Sequence, residues 1–278
     1  MKSISFGQFY PAESIIHKAD PRTKVILAVL YIVSSFVCKS VLSFAVLAIT
    51  SLLVILLSKI PVKTVLRSIK PILVVMLFMS LLNVFLTKGG VLIVEFWRIS
   101  IYSKGIYAAV SAVVRVVALI IGTSIFLTYT TTPIELTDGI EQLFGPLKKI
   151  KIPVHEFAMM MTIALRFIPT LIEETDKIIS AQKARGADFS NGSLIKRAKA
   201  LIPILVPLFI SAFRRADELA VAMECRCYRG GEGRTKLHIL KYKARDVFLI
   251  LLFAVLLAGL ILMNSFALEF PFVGENWF

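Results

Sequence analysis

The chain has 278 residues, 57% of them hydrophobic, and a mean hydropathy of +0.81. That is too apolar for a single soluble core and too often interrupted by charge to lie wholly in lipid, so an integral membrane protein with a sizeable wet portion is expected. The net charge of +14 could serve anionic lipid, nucleic acid or an acidic protein surface, with lipid first because cytoplasmic flanks of membrane helices gather such charge, and the cysteines at 38, 225 and 227 indicate no disulfide framework.

The amino end carries Glu13, His17 and Asp20 before any apolar run, which argues against a cleaved signal peptide. Asp20-Pro21 reads as an N-cap with proline in the first turn, launching an apolar run over residues 25–38. Lys39-Ser40 breaks it, and residues 41–57 form a second span. The connection over 59–70 holds Lys59, Lys63, Arg67 and Lys70 and no acidic residue, which places it in the cytoplasm together with the amino terminus. Within it Val62, Val65, Leu66 and Ile69 share one helical face, the pattern of a short helix at the headgroups or of a frayed loop.

Residues 71–86 form a third span and 106–127 a fourth, separated by an outer connection with few, mixed charges. Arg115 falls in the middle of the fourth, where it either serves a function or faces the bundle or a wet groove. A last span covers 247–268, preceded by Lys236, Lys241, Lys243 and Arg245. The expected architecture is therefore all-α and polytopic with about five spans: helices one to four in 1–128, a cytoplasmic or interfacial coupling-helix region in 129–245, and the final helix in 246–278.

The polar insert opens on Thr132-Pro133-Ile134-Glu135, a capping box with a first-turn proline, and its first short helix closes at Gly145-Pro146. A second helix starts near Pro153, bends or restarts at Pro169, and runs to Arg185 with Leu171, Ile172, Thr175, Ile178, Ile179 and Gln182 at helical period. Continuous, it would reach roughly 50 Å. After a turn at Ser190-Asn191-Gly192-Ser193, a third helix carries Phe209, Phe213, Ala216, Ala220, Met223 and Cys227 on one stripe and ends near Tyr228, where glycines 230, 231 and 233 release the chain. Residues 157–172 and 201–213 are apolar enough to pass for spans, but Arg166, Pro203 and Pro207 make them better buried or interfacial helices.

Both long helices end on an arginine between small residues, Ala184-Arg185-Gly186 and Cys225-Arg226-Cys227. A helix exposes unpaired carbonyls at its carboxyl end, so an arginine there caps it and offers a planar fork of donors to an acidic groove. Two such ends suggest two partner subunits. Asp176 and Asp217, nine residues before each arginine, and Ala181 and Ala222, four before, add a faint internal repeat.

Catalysis finds no support, and neither a metal nor a cofactor is expected. Cys225 and Cys227 diverge by about 200° on a helix and have no His or Cys neighbour to complete a set. Met159-Met160-Met161 reads as an apolar interface, whose flexible side chains would let one scaffold accept several binding partners. The stretch from Gly230 to Lys236 lacks the order of a phosphate loop, and His17, His155 and His238 are scattered.

Several segments together resemble the transmembrane T component of energy-coupling-factor transporters, a branch of the ATP-binding-cassette importers. They are the stretch from Ser14 through His17 and Asp20-Pro21-Arg22-Thr23-Lys24, Thr130-Thr131-Thr132-Pro133-Ile134-Glu135-Leu136, Ala164-Leu165-Arg166-Phe167-Ile168-Pro169, and above all the segments ending in the two arginine signatures. The resemblance implies a non-catalytic scaffold in a prokaryotic plasma membrane. It would couple two ABC-type ATPase subunits to a separate membrane-embedded substrate-binding S component that takes up a vitamin or metal ion. By it, Ala184, Arg185, Gly186, Cys225, Arg226 and Cys227 contact the ATPases, and the apolar helix faces with Met159, Met160, Phe209 and Phe213 hold the S component. The second signature has Cys225 for alanine and Cys227 for glycine, so a glycine-type helix end is expected to be lost there. The main rival, a stand-alone secondary transporter or channel, would want polar relay residues within its spans, which offer little beyond Asn83 and Arg115.

Overall fold

The computed structural model describes residues 9–96, 99–187, 193–230 and 240–269. The expected turn at 190–193 falls mostly, and the glycine-rich stretch from 231 wholly, outside them. Among the described residues the chain is all-α but for one pair of strands: α1 (Pro21–Val37), α2 (Val41–Ser58), α3 (Val62–Ile69), α4 (Leu73–Leu86), β1 (Leu92–Phe96), β2 (Ile99–Tyr102), α5 (Ser103–Thr123), α6 (Pro133–Leu143), α7 (Val154–Ala184), α8 (Leu194–Cys225) and α9 (Ala244–Glu269). A π-helical stretch, Ser124–Tyr129, prolongs α5, and a 3₁₀ turn, Gly145–Ile150, follows α6. The antiparallel β1–β2 pair, with an irregularity between Leu92 and Val94, lies in what the sequence suggested was a plain outer connection.

The expected caps form. The Asp20 side chain accepts from Arg22 N at 2.9 Å, and Thr132 and Glu135 exchange bonds of 3.1 and 3.3 Å. A second box, unforeseen, starts α2, where Ser40 and Ser43 exchange side-chain to backbone bonds.

Two packing units divide the chain: Met1–Gln142 with Ile239–Phe278, and Leu143–His238. In the first, α1, α2, α5 and α9 enclose Leu27, Tyr31, Leu47, Ile125 and Phe126, all essentially inaccessible. The Tyr31, Phe126 and Phe253 rings meet edge-on or tilted at 5.6 to 6.4 Å, and the Tyr31 hydroxyl bonds that of Ser51. Small residues permit this closeness: a Cβ on Gly122 would fall 2.2 Å from Tyr31 Cδ1. The outer faces are apolar too, with Leu42, Ile49 and Leu56 on α2 and Val74, Leu77 and Phe78 on α4 exposed, which fits a surface facing hydrocarbon.

Among the described residues four helical segments are long and apolar enough to cross a membrane, Val41–Ser58, Ser103–Tyr129, Val154–Ala184 and Ala244–Ser265, or five if α3 and α4, bent by 62°, count as one span. Their membership differs from the expected set. The 17-residue α1 falls just short, at about 25 Å against a hydrocarbon core of about 30 Å, whereas α7 passes on length and composition.

The amino-terminal segment is fastened by charge. Asp246, 1% exposed, accepts from Asp20 N at 3.0 Å and from Lys243 N at 2.8 Å. The Asp20 carboxylate holds Arg22 through both oxygens, and the Arg22 guanidinium lies 3.9 Å from the centre of the Tyr242 ring. Lys24 donates to the carbonyls of His17 and Thr130 at 3.0 and 2.6 Å. A cation at the end of the α5 and π-helical run suits the negative end of its dipole. Arg115 does similar work at the carboxyl end of α1, donating to the Cys38 carbonyl at 3.0 Å beside the Phe44 ring, while Asn264 takes Val37 O and Tyr107 takes Lys39 O. It faces the bundle, as one of its two expected readings had it.

Candidate functional site

The second unit is dominated by α7 and α8, of 31 and 32 residues, each about 46 to 48 Å long. Pro169 neither breaks nor restarts α7, and α8 passes through Pro203 and Pro207 as one helix. Proline at 207 has no N–H to offer the Pro203 carbonyl one turn earlier. Gln182 of α7 supplies the missing donor, reaching Pro203 O at 3.4 Å. Nothing in the sequence pattern marks Gln182 for this role beyond its place on the apolar stripe.

The helices run antiparallel, as three contacts fix: Gln182 with Pro203, Glu174 with Ser211, and Phe167 with Arg215, whose guanidinium also meets Glu174 at 3.4 Å. The pairing places Arg185 near the start of α8 and Arg226 near the start of α7, where Gly230 approaches Glu156. The two signature arginines therefore occupy opposite ends of the pair, roughly 40 Å apart by helix rise.

Both ends have one backbone form. Arg185 is the C-cap of α7, Gly186 follows at φ 86°, its N–H bonds Lys183 O at 2.9 Å, and Ala187 N bonds Gln182 O at 3.0 Å. At the end of α8, Cys227 follows Arg226 at φ 57°, its N–H bonds Glu224 O at 2.8 Å, and Tyr228 N bonds Met223 O at 3.1 Å. These are the paired bonds of a Schellman motif in each case. The expectation that Cys227 would forfeit a glycine-type ending is thus corrected: two carbonyl bonds hold a non-glycine residue in the left-handed region, at a local cost of about 1 kcal/mol. Helix α8 ends at Cys225, slightly before the expected Tyr228. Ala184, Arg185, Gly186, Cys225, Arg226 and Cys227 are all exposed.

The four residues expected on an apolar partner face fall into two places. Phe209 and Phe213, 65% and 56% exposed, stack edge-on at 4.7 Å in the middle of α8. Met159 and Met160 sit near the start of α7, more than ten residues before the level of Phe213. An open apolar groove of about 470 Å³ runs beside Phe209, lined also by Leu171, Leu205, Val206, Leu208 and Ile210. Leu171 and Ile210 were legible as apolar positions, but their convergence across two helices was not. Among the described residues no cluster of three His, Cys, Asp or Glu side chains could hold a metal ion.

Residues 12–237 match the model of the family described as CbiQ, cobalt transport protein. Curated relatives carry the name energy-coupling factor transporter transmembrane protein EcfT. The one from Ruminiclostridium cellulolyticum is 52% identical over 264 residues, 95% of this chain and 98% of the relative. That from Clostridium kluyveri is 52% identical over 247 residues, 88% of this chain and 91% of the relative. The Bacillus subtilis protein is 46% identical over 265 residues, covering 95% of this chain and all of the relative.

Proposed function

Because the chain belongs to the CbiQ family of cobalt transport proteins and is the T component of an energy-coupling-factor transporter, we propose that it is the non-catalytic scaffold of an importer in the cell membrane. Two partner ATPases bind the ends of α7 and α8, and a membrane-embedded substrate-binding protein rests on their apolar faces. The substrate is a vitamin or a metal ion held by that partner, and the amino terminus is cytoplasmic, in keeping with the basic residues from Lys59 to Lys70.

One observation carries the reading: two exposed arginines sit on matching Schellman ends at opposite extremes of one antiparallel helix pair. Ends about 40 Å apart fit two separate sockets better than one. Each guanidinium can enter an acidic groove and make paired charge-assisted bonds, and relative motion of the sockets then tilts the helices. The residues of the partner-binding ends are Ala184, Arg185, Gly186, Cys225, Arg226 and Cys227. Met159, Met160, Phe209 and Phe213 belong to the face for the substrate binder.

Charge reversal is the decisive test. Arg185→Glu and Arg226→Glu together should abolish copurification of the ATPases and uptake by the assembled transporter while the chain still inserts. Unchanged copurification and uptake in the double variant would overturn the proposal.

A further inference from the structure

Between α6 and α7 lies a segment that neither the arginine ends nor the apolar groove employs. From Phe144 the chain enters the 3₁₀ turn Gly145–Ile150, closed by Leu147 N to Phe144 O at 2.9 Å and by Lys151 N to Lys148 O at 3.0 Å. A 3₁₀ helix has three residues per turn, so side chains at i and i+3 eclipse. Phe144, Leu147 and Ile150 consequently form a single apolar ridge, with Lys148 and Lys149 offset by about 120° to either side. Lys151 then turns the chain at φ 62°, and Ile152 adds a fourth apolar side chain.

The ridge is not packed away. Phe144 is 52%, Ile150 72% and Ile152 44% exposed, Leu147 between them is half-buried, and Lys148, Lys149 and Lys151 are all exposed. No acidic residue occurs from 143 to 153. This chemistry differs from that of the groove on α8, where residues 201–213 carry no charge at all. An uncharged groove asks for an apolar partner, whereas a narrow apolar ridge flanked by cations matches a surface that is apolar within and anionic at its rim. In a membrane protein that surface is the headgroup boundary of a leaflet.

We infer that the Phe144–Ile152 turn is a lipid anchor: Phe144, Leu147, Ile150 and Ile152 enter the acyl boundary of an anionic leaflet while Lys148, Lys149 and Lys151 meet its phosphates. A wedge of a few side chains with three lysines is the two-signal combination that gives stable surface attachment where either signal alone is marginal. The anchor would fix the depth of the segment from which α7 starts.

The test uses the full chain in nanodiscs, with Trp97→Phe and Trp277→Phe removing the native tryptophans and Ile150→Trp as reporter. Brominated acyl chains should quench the fluorescence of the Ile150→Trp protein and aqueous iodide should not, in discs of phosphatidylcholine with added phosphatidylglycerol. Adding Lys148→Gln, Lys149→Gln and Lys151→Gln should weaken attachment on the order of a hundredfold, about fivefold for each of three lysines, and so remove most of the bromine quenching in these discs while changing little in phosphatidylcholine alone. Phe144→Trp, on the same ridge, should report as Ile150→Trp does, and Lys148→Trp, off the ridge, should stay open to iodide. Iodide quenching of the Ile150→Trp protein without bromine quenching in both lipids would overturn the inference. So would protection from iodide that appears only when the partner subunits are added, which would assign the ridge to a protein.

Discussion

The two packing units solve opposite problems. In the first, α1, α2, α5 and α9 close around a core in which Leu27, Leu47 and Ile125 are wholly inaccessible, and its charged groups are matched in place, as Asp246 with Asp20 N and Lys243 N and Lys24 with two carbonyls. In the second, Ala158 and Ile204 are the only buried residues among those described, and the long helices meet through polar contacts at Gln182, Glu174 and Arg215. The first unit is finished by itself and by lipid. The second leaves its apolar faces and both arginine ends uncovered, which is the exposure that the proposed partner contacts require.

That contrast can be broken most sharply at glycine. Gly122→Ala sets a methyl inside the Tyr31 ring position and should cost about 3 kcal/mol, the upper end for overpacking, read as a lower thermal midpoint of the detergent-purified chain. Gly145→Ala in the second unit, where a Cβ meets nothing within 4 Å, should leave that midpoint in place. Equal effects would show that the units do not differ in packing.

The next effect concerns the buried carboxylate. Asp246→Ala strands the N–H groups of Asp20 and Lys243 and should cost about 2 kcal/mol. Asp246→Asn, which keeps an acceptor, should cost less. In the second unit the expected change has the opposite sign. Cys227→Gly removes the left-handed strain at the end of α8 and should stabilise that end by about 1 kcal/mol, seen as slower amide exchange at Tyr228 with no change at Ala187.

The smallest effect is one of pH and belongs to the first unit. Burial pulls His17 below its ordinary value, against the opposing bond to the Tyr10 carbonyl, where Nε2 donates at 2.9 Å while Nδ1 accepts from Ser14 at 2.7 Å. The unfolded chain therefore takes up the proton first, and stability contributed above the unfolded value near 6.5 is lost as pH falls through the folded value. Burial pushes Asp20 up, but the Arg22 side chain and backbone outweigh it and hold the carboxyl below its usual range, so its contribution survives until pH drops beneath about 4. A decline in thermal midpoint just below pH 6.5 that is smaller in His17→Gln would match this order. An identical decline in the variant would remove His17 from the account.

Much of this was legible because local chemistry decides it. Asp20-Pro21 and Thr132-Pro133-Ile134-Glu135 begin helices wherever they stand, since they satisfy the first free N–H groups. The apolar runs of α2, α5 and α9 announce membrane segments by length and composition. The strands Leu92–Phe96 and Ile99–Tyr102 were missed because segments of five and four residues, the first interrupted by Glu95, have no period long enough to separate strand from loop. How α8 carries Pro207 without a break was hidden for another reason: the orphaned Pro203 carbonyl is met by a side chain, Gln182, that lies 21 residues away.

Sequence alone determined the membrane class, the caps and the pair of arginine signatures, each a property of residues near one another in the chain. Only the tertiary structure decided that α7 and α8 lie antiparallel and that Arg185 and Arg226 stand at opposite ends. These depend on which long-range contacts outweigh local preference, and no window of sequence contains both partners of such a contact.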